Sequence, residues 1–303
     1  MNRRRVALYV VSGFAIGILL LSVYFFIKRP ERLTAPVVEE TKRVVVFRDV
    51  NYSGERKGAV DWELKAAVAR KFIDRPLVEL EKIEGSYRPK PDTVVLFRGS
   101  KGELDTEEEK GRIDDVEIVY KDEYTVRSKV MDFDFKNSRV WTKSAVDLKG
   151  KRLSMLGVGM VADTREQMVR IEKDVHGSVK TETRQFNFSS DRFTYKVKED
   201  LYIFDGNVAV KGDDMNMLCD TVSITSKGET VDKIDASGKV RLTSKGTLAK
   251  SGRAVYYLKD DRVTLEDSPT IIRDKVEMQG RVIVYSLSTG KFSVEGPKLR
   301  IER

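Results

Sequence analysis

From about residue 44 onward the chain alternates apolar and polar residues in short runs, broken by Lys-Gly, Ser-Gly, Asp-Gly-Asn and Asp-Asp. Period-two alternation puts successive side chains on opposite faces of an extended backbone, so it predicts half-buried β-strands joined by tight turns. In the stretch 201–217, Tyr202, Phe204, Val208, Val210, Met215 and Met217 fall into one set, with Asp205-Gly206-Asn207 and 211–214 read as turns. The pattern also repeats. Displaced by about 61 residues, Tyr195, Lys198, Asp200 and Met217 fall on Tyr256, Lys259, Asp261 and Met278. Displaced the other way by about 62, Val208, Gly212, Met217 and Leu218 fall on Val146, Gly150, Met155 and Leu156. Units of a few twisted strands cannot bury their apolar faces alone, so they stack into a sandwich, jellyroll or solenoid. The expected fold class is all-β, and the seven prolines, few for 303 residues, suit long hydrogen-bonded ladders.

One segment resists this reading. Residues 61–75, DWELKAAVARKFIDR, are rich in helix formers and would set Leu64, Val68 and Phe72 on one helical face. On propensity alone the segment reads as helix, although Trp62, Leu64, Ala66 and Val68 also alternate.

Ahead of the alternating body, the run from Val6 to Ile27 contains no charged residue. About 22 residues at roughly 1.5 Å each span roughly 33 Å, enough for a hydrocarbon core of about 30 Å. A cleaved signal would carry an apolar region of only about 7–15 residues followed by a small-residue site. The run is therefore read as an uncleaved single-pass anchor. The tail 1–5, with Arg3, Arg4 and Arg5, is hard to translocate, which places it in the cytoplasm and the body outside. Residues 28–43 read as a polar linker containing Pro30 and Pro36.

Composition removes several function classes. The formal charge is +8, but Arg3, Arg4, Arg5, Lys28 and Arg29 flank the anchor, and setting those five aside leaves +3 on the body. A nearly balanced body with no arginine-rich stripe is a poor match for a phosphate backbone, so no nucleic-acid partner is expected. The single His176 and single Cys219 cannot build a His/Cys metal site or a disulfide framework within one chain, and no metal or cofactor is expected. Paired acids such as Asp114-Asp115, Asp213-Asp214 and Asp260-Asp261 sit at turn positions, where Asp bonds locally to backbone, and no nucleotide-binding glycine motif is present. No catalytic residue is assigned, and the chain is not expected to be an enzyme.

A basic tail, one span, a linker and then Gly58-Ala59-Val60-Asp61-Trp62-Glu63-Leu64-Lys65-Ala66 resemble the LptC family of lipopolysaccharide export, whose W-x-L-x-A element is matched at Trp62, Leu64 and Ala66. From about residue 190, Phe193-Thr194-Tyr195, Phe204-Asp205-Gly206-Asn207-Val208, Leu218-Cys219-Asp220 and Ile234-Asp235-Ala236-Ser237-Gly238 resemble the periplasmic LptA/OstA-type domain. The resemblance implies a transmembrane helix followed by twisted, open β-jellyroll repeats. Its parts are a tail at 1–5, a helix at 6–27, a linker at 28–43, an LptC-like jellyroll at 44–184 and an LptA/OstA-like jellyroll at 185–303. It also implies that Trp62 to Val68 is strand, against the propensity reading. A typical LptC carries one such domain, so the second is a departure.

The resemblance further implies an inner-membrane protein with its body in the periplasm. It would accept lipopolysaccharide from an ABC transporter and pass it to a periplasmic bridge jellyroll by edge-strand addition. About twelve methylenes exposed to water would cost roughly 10 kcal/mol, so a lipid crossing an aqueous space needs continuous apolar cover. Tyr202, Phe204, Val208, Val210, Val263, Leu265, Ile271 and Met278 are the candidate lining of such a slot. The same alternation fits a plain filled core, and an anchored structural or adhesion-type β-repeat with protein partners is the alternative function. Docking edges are expected at 43–51 and 291–301.

Overall fold

The computed structural model describes residues 37–39 and 44–301, apart from 57–58, 91–92, 121–123, 135, 138, 152, 164, 181–184, 197, 214, 228–229, 261 and 275. The expected tail, transmembrane helix and most of the linker lie outside the described residues. Among the described residues no helix is long and apolar enough to cross a membrane.

The described chain is all-β but for one short 3₁₀ turn, and its residues divide into two compact units. The first contains β1 (Val37–Glu39), β2 (Val44–Arg56), β3 (Ala59–Phe72), β4 (Leu77–Lys90), β5 (Thr93–Asp105), β6 (Lys110–Tyr120), β7 (Tyr124–Asp134) and β8 (Arg139–Gly150). Strands β9 (Leu153–Asp163) and β10 (Met168–Lys180) contribute residues to both units. The second contains β11 (Gln185–Ser190), β12 (Arg192–Lys196), β13 (Leu201–Lys211), β14 (Met215–Lys227), β15 (Thr230–Ser244) and β16 (Thr247–Tyr257). It continues through β17 (Arg262–Glu266), β18 (Thr270–Arg273), β19 (Val276–Gln279), β20 (Val282–Ser286), β21 (Phe292–Glu295) and β22 (Lys298–Ile301).

In the first unit β2 to β8 pair in chain order, all antiparallel. The strands are long, 14 residues in β3, and β2 to β7 each break register near the middle. The register skips one row of residues that crosses the sheet: Asp49, Ala67, Lys82, Ser100, Asp115 and Lys129. Asp49, Lys82 and Asp115 have φ of 50°, 52° and 50°, the left-handed region in which a single residue breaks the pleat. The inward parity shifts across this fold line: Leu64 and Ala66 are buried before Ala67, Ala69 after it. Residues from both sides of the line, Leu80 and Ile83 or Ile113 and Val116 among them, pack in one hydrophobic core. The bent strands therefore fold the sheet into two facing halves, an arrangement consistent with a β-jellyroll.

The helix reading of 61–75 fails here. β3 runs through the segment, with Leu64, Ala66, Ala69 and Phe72 buried and Lys65 and Lys71 exposed. Pairing with β2 and β4 gives most of its residues ladder partners on both sides that an isolated helix would lack, and this overrides a propensity difference of about 0.5 kcal/mol per residue.

The second unit is built the same way. Register shifts fall between Asp205 and Val208, between Leu218 and Thr221, and between Ser237 and Val240. Gly206, Asn207, Gly238 and Lys239 have φ of 80°, 49°, 79° and 49°. Asp205-Gly206-Asn207, read from sequence as a chain-reversing turn, is thus a bulge inside β13, and Ser237-Gly238 is one inside β15. β16 crosses the fold line near Gly252, where β17 covers its later half and β18 its earlier half. β20 then pairs with β17 and β21 with β20 on one side; β19 pairs with β18 and β22 with β19 on the other.

Among the described residues, β2 beyond Val46 pairs only with β3, β1 covering no more than Val44 to Val46. β21 and β22 each pair on one side only. These are the free edges of the two ladders.

The fold line requires residues without a side chain where strands cross closely. A Cβ on Gly206 would lie 2.3 Å from Asp191 Oδ2 and 2.8 Å from its Cβ, in a backbone conformation L-residues already resist. Gly206→Ala is expected to lower stability by about 2 kcal/mol, read as a shift of the urea midpoint without a change of slope.

Candidate functional site

The second unit brings six of the eight candidate lining residues into one core, strand by strand. Cross-strand columns are apolar on one face: Phe193, Phe204 and Val222; Tyr195, Tyr202 and Ile224; Phe188, Val210 and Met217; Val208 and Cys219. The adjacent column, Thr194, Ile203 and Ser223, belongs to the other face. The rings contact each other closely. Phe188 meets Phe204 edge-on at 5.2 Å, Phe193 lies 5.0 Å from Phe204, and Tyr195 stacks on Tyr202 at 4.3 Å and 17°. Each such pair contributes about 0.5–1.5 kcal/mol beyond the area it buries.

Of the eight candidates, Val208, Val263, Leu265 and Ile271 belong to one buried core, and Phe204 and Val210 pack against it half-buried. Tyr202 is half-buried in its stack, and Met278 is half-buried beside Ile271 and Leu299 in the ladder. Phe188 was not singled out from sequence, and Phe193 was quoted for the family resemblance but not as a lining residue. Their signal was present in Phe186-Asn187-Phe188 and Phe193-Thr194-Tyr195, short alternating runs whose partner strands only the register reveals. In the first unit Leu64 and Ala66 are core residues, and Trp62 stands on β3 between Gly54 and Tyr87 in the ladder.

The interior is graded. Leu265, Ile271 and Ile283 are fully closed to solvent, whereas Phe188, Tyr202, Phe204, Val210, Met215, Met217 and Ile224 are all partly accessible. These half-open groups lie on β11 to β14 beside the buried Phe193, Tyr195, Val208 and Val222, and the three closed ones on β17, β18 and β20, with Met278 on β19 half-buried. Cys219, 6% exposed, is a free thiol in this core, and burial pushes its pKa up to about 11, so it is unreactive in place.

Charge is kept to turns and the outer face. The Tyr195 and Tyr202 hydroxyls both donate to Asp200 Oδ1, at 3.2 and 3.5 Å, in the turn before β13. Burial raises the Asp200 carboxyl above its usual range, and burial next to Tyr195 and Asp200 raises the Tyr202 phenol. On the outer face Asp235 accepts from Arg253 at 2.9 and 2.6 Å and from Lys233 at 2.9 Å, which holds its carboxyl below the usual range. Among the described residues no cluster of His, Cys, Asp or Glu is placed to hold a metal. What this arrangement offers chemically is apolar cover between two half-sheets.

The family described as lipopolysaccharide-assembly, LptC-related, matches residues 14–180, more than half of the chain. The chain belongs to that LptC-related family. A second family, described as LptA/(LptD N-terminal domain) LPS transport protein, matches residues 187–291, so this LptC-related protein carries an LptA-like domain after its LptC region. Among solved structures, one similar chain is LptH of Pseudomonas aeruginosa, titled the LptA-homologous periplasmic component of the conserved lipopolysaccharide transport device. Its identity is 16% over 39% of this chain and 95% of that one, with a TM-score of 0.36. No curated protein sequence matches.

The ion cluster on the outer face of this LptC-related protein sets a pH dependence. Because the folded Asp235 pKa is lowered, its pairing stabilises the fold above the unfolded carboxylate pKa of about 4 and is lost as pH falls through the lower folded value. Arg253→Ala should cost about 1 kcal/mol at pH 7 and progressively less below about pH 4, measured by denaturant titration at each pH.

Proposed function

We propose that this protein is an inner-membrane-anchored, periplasmic component of lipopolysaccharide export, with jellyrolls at 44–184 and 185–303. It binds the lipid's acyl chains between the two half-sheets of the C-terminal jellyroll and performs no covalent chemistry. An ABC transporter would supply the lipid and the energy, since the sequence carries no nucleotide-binding motif. A neighbouring periplasmic jellyroll would receive the lipid by adding its strand to the free edge β21 and β22, where Leu299 is 60% exposed, while β2 offers a free edge of the first unit. The anchor at 6–27 would hold the assembly at the membrane.

The observation that carries this reading is the accessible apolar surface lining the interior face of β11 to β14, centred on Phe204. A protein whose only need was stability would gain about 1.5–3 kcal/mol from fully closing each such side chain, and here a group of them stays half-open. The family assignment supports lipopolysaccharide as the occupant. The closed end at Leu265, Ile271 and Ile283 favours the second reading, a structural β-repeat with a filled core, in that part of the unit.

A photocrosslinking residue at Phe204, facing in, and separately at Ile203, facing out, distinguishes the two in living cells. Lipopolysaccharide adducts at Phe204 and not at Ile203 are expected; protein adducts alone, or none at either position, would favour the structural reading. The same residue at Leu299 is expected to capture protein rather than lipid.

A further inference from the structure

The two half-sheets of the C-terminal unit are joined along the fold line at Gly206, Gly238 and Gly252, so the opposite side, where strand ends and turns of the two halves meet, is a seam. At the closed end that seam is fastened. The two-residue turn Lys245-Gly246 between β15 and β16 belongs to one half; the turn 287–291 between β20 and β21 belongs to the other. Lys245 Nζ donates to the Ser288 carbonyl. Arg273, on β18, donates through Nη2 to the Gly290 carbonyl at 3.0 Å and through Nε to Thr247 Oγ1 at 2.7 Å, and its guanidinium lies 5.6 Å from the Phe292 ring. Tyr285 Oη donates to the Ser244 carbonyl at 3.5 Å.

The three side chains converge on one point. A Cβ built on Gly290 would have Arg273 Nη2 at 3.5 Å, Lys245 Cδ at 3.6 Å and Tyr285 Oη at 3.9 Å around it. Directly behind them lie Leu265, Ile271 and Ile283, the fully closed residues of the core.

We propose that Lys245, Arg273 and Tyr285 form a latch across the seam, and that an acyl chain lying on Phe204 advances to the C-terminal end of the unit only when this latch opens. The inference rests on the reading of the interior as the lipid route and adds a gate to it. The chemistry suits a gate. The Lys245 and Arg273 bonds are exposed or half-buried side-chain donors on backbone carbonyls, each of which contributes about 0.5–1.5 kcal/mol net because water replaces it, while the Tyr285 bond is buried behind them. Opening also has to separate apolar residues, which lipid chains then cover. The seam is thus held shut while empty, and an arriving chain restores the apolar contact that opening removes.

The test places a photocrosslinking residue at Ile271, behind the latch, or at Phe204, ahead of it, in the full-length protein in cells, and compares lipopolysaccharide adducts in three backgrounds. In Lys245→Met/Arg273→Met, adducts at Ile271 should rise at least about threefold over the native background, while those at Phe204 stay unchanged. Lys245→Arg/Arg273→Lys, which keeps cationic donors, should match the native protein. Gly206→Ala weakens the fold at the line opposite the seam, and a rise at Ile271 in that background equal to the latch variant's would mean general loosening and overturn the latch. Adducts at Phe204 with equal Ile271 adducts in native and latch-variant backgrounds would overturn the gate while leaving the lipid route standing. Absence of lipid adducts at Phe204 throughout would overturn the lipid route itself, and the gate with it.

Discussion

Everything else in this protein depends on a line of backbone bends. An antiparallel ladder twists but does not double over unless its strands break the pleat at matching positions, and a residue in the left-handed region is the local way to do so. In the first unit the row from Asp49 to Lys129 supplies those breaks; in the second they come at Gly206-Asn207, Gly238-Lys239 and the 267–268 bend. Non-glycine residues such as Asp49, Lys82 and Asp115 hold this geometry against a cost of about 1–2 kcal/mol each. They persist because each side of the bend is locked by ladder pairs and by a core that draws from both halves.

The bends also decide what kind of interior exists. Two halves joined along one line bring their apolar faces together, fully buried at Leu265, Ile271 and Ile283 and half-open at Phe204, Met215 and Met217. Cross-strand pairs such as Arg192 with Asp205, Arg112 with Asp132 and Glu117 between Arg98 and Arg127 keep charge on the outer faces. The inner faces are left to aliphatic and aromatic groups. On the proposed function such a surface would cover chains of methylene without distinguishing them finely.

Much of this was legible in the residues. Alternation gave the all-β class, and parity correctly grouped Tyr202 and Phe204 with Val208 and Val210, because bulges of this kind return the later residues to the same face. The error at Asp205-Gly206-Asn207 has a clear physical origin. The same residue types that suit a reversing turn also suit a mid-strand bulge, since both need positive φ, and only the pairing of β14 along both halves of β13 tells them apart. The segment 61–75 misled for a related reason: its local propensity is helical, and its strand conformation is imposed by neighbours on both sides. Phe188 went unnoticed and Phe193 was not read as lining because each lies in a short strand whose importance comes from the ring it meets.

The sequence by itself determined the period, the alternation of faces within each unbent stretch, the placement of charge away from the interior and the family. Those properties follow from local chemistry along the chain, where neighbours two residues apart share a face. Only the tertiary structure decided where the strands bend, which edges stay unpaired and which end of the second unit is closed. Those depend on contacts between residues far apart in the chain, such as Lys245 with Ser288, Arg273 with Gly290 and Tyr285 with Ser244. Such contacts form only once the bent ladder has brought its two halves face to face.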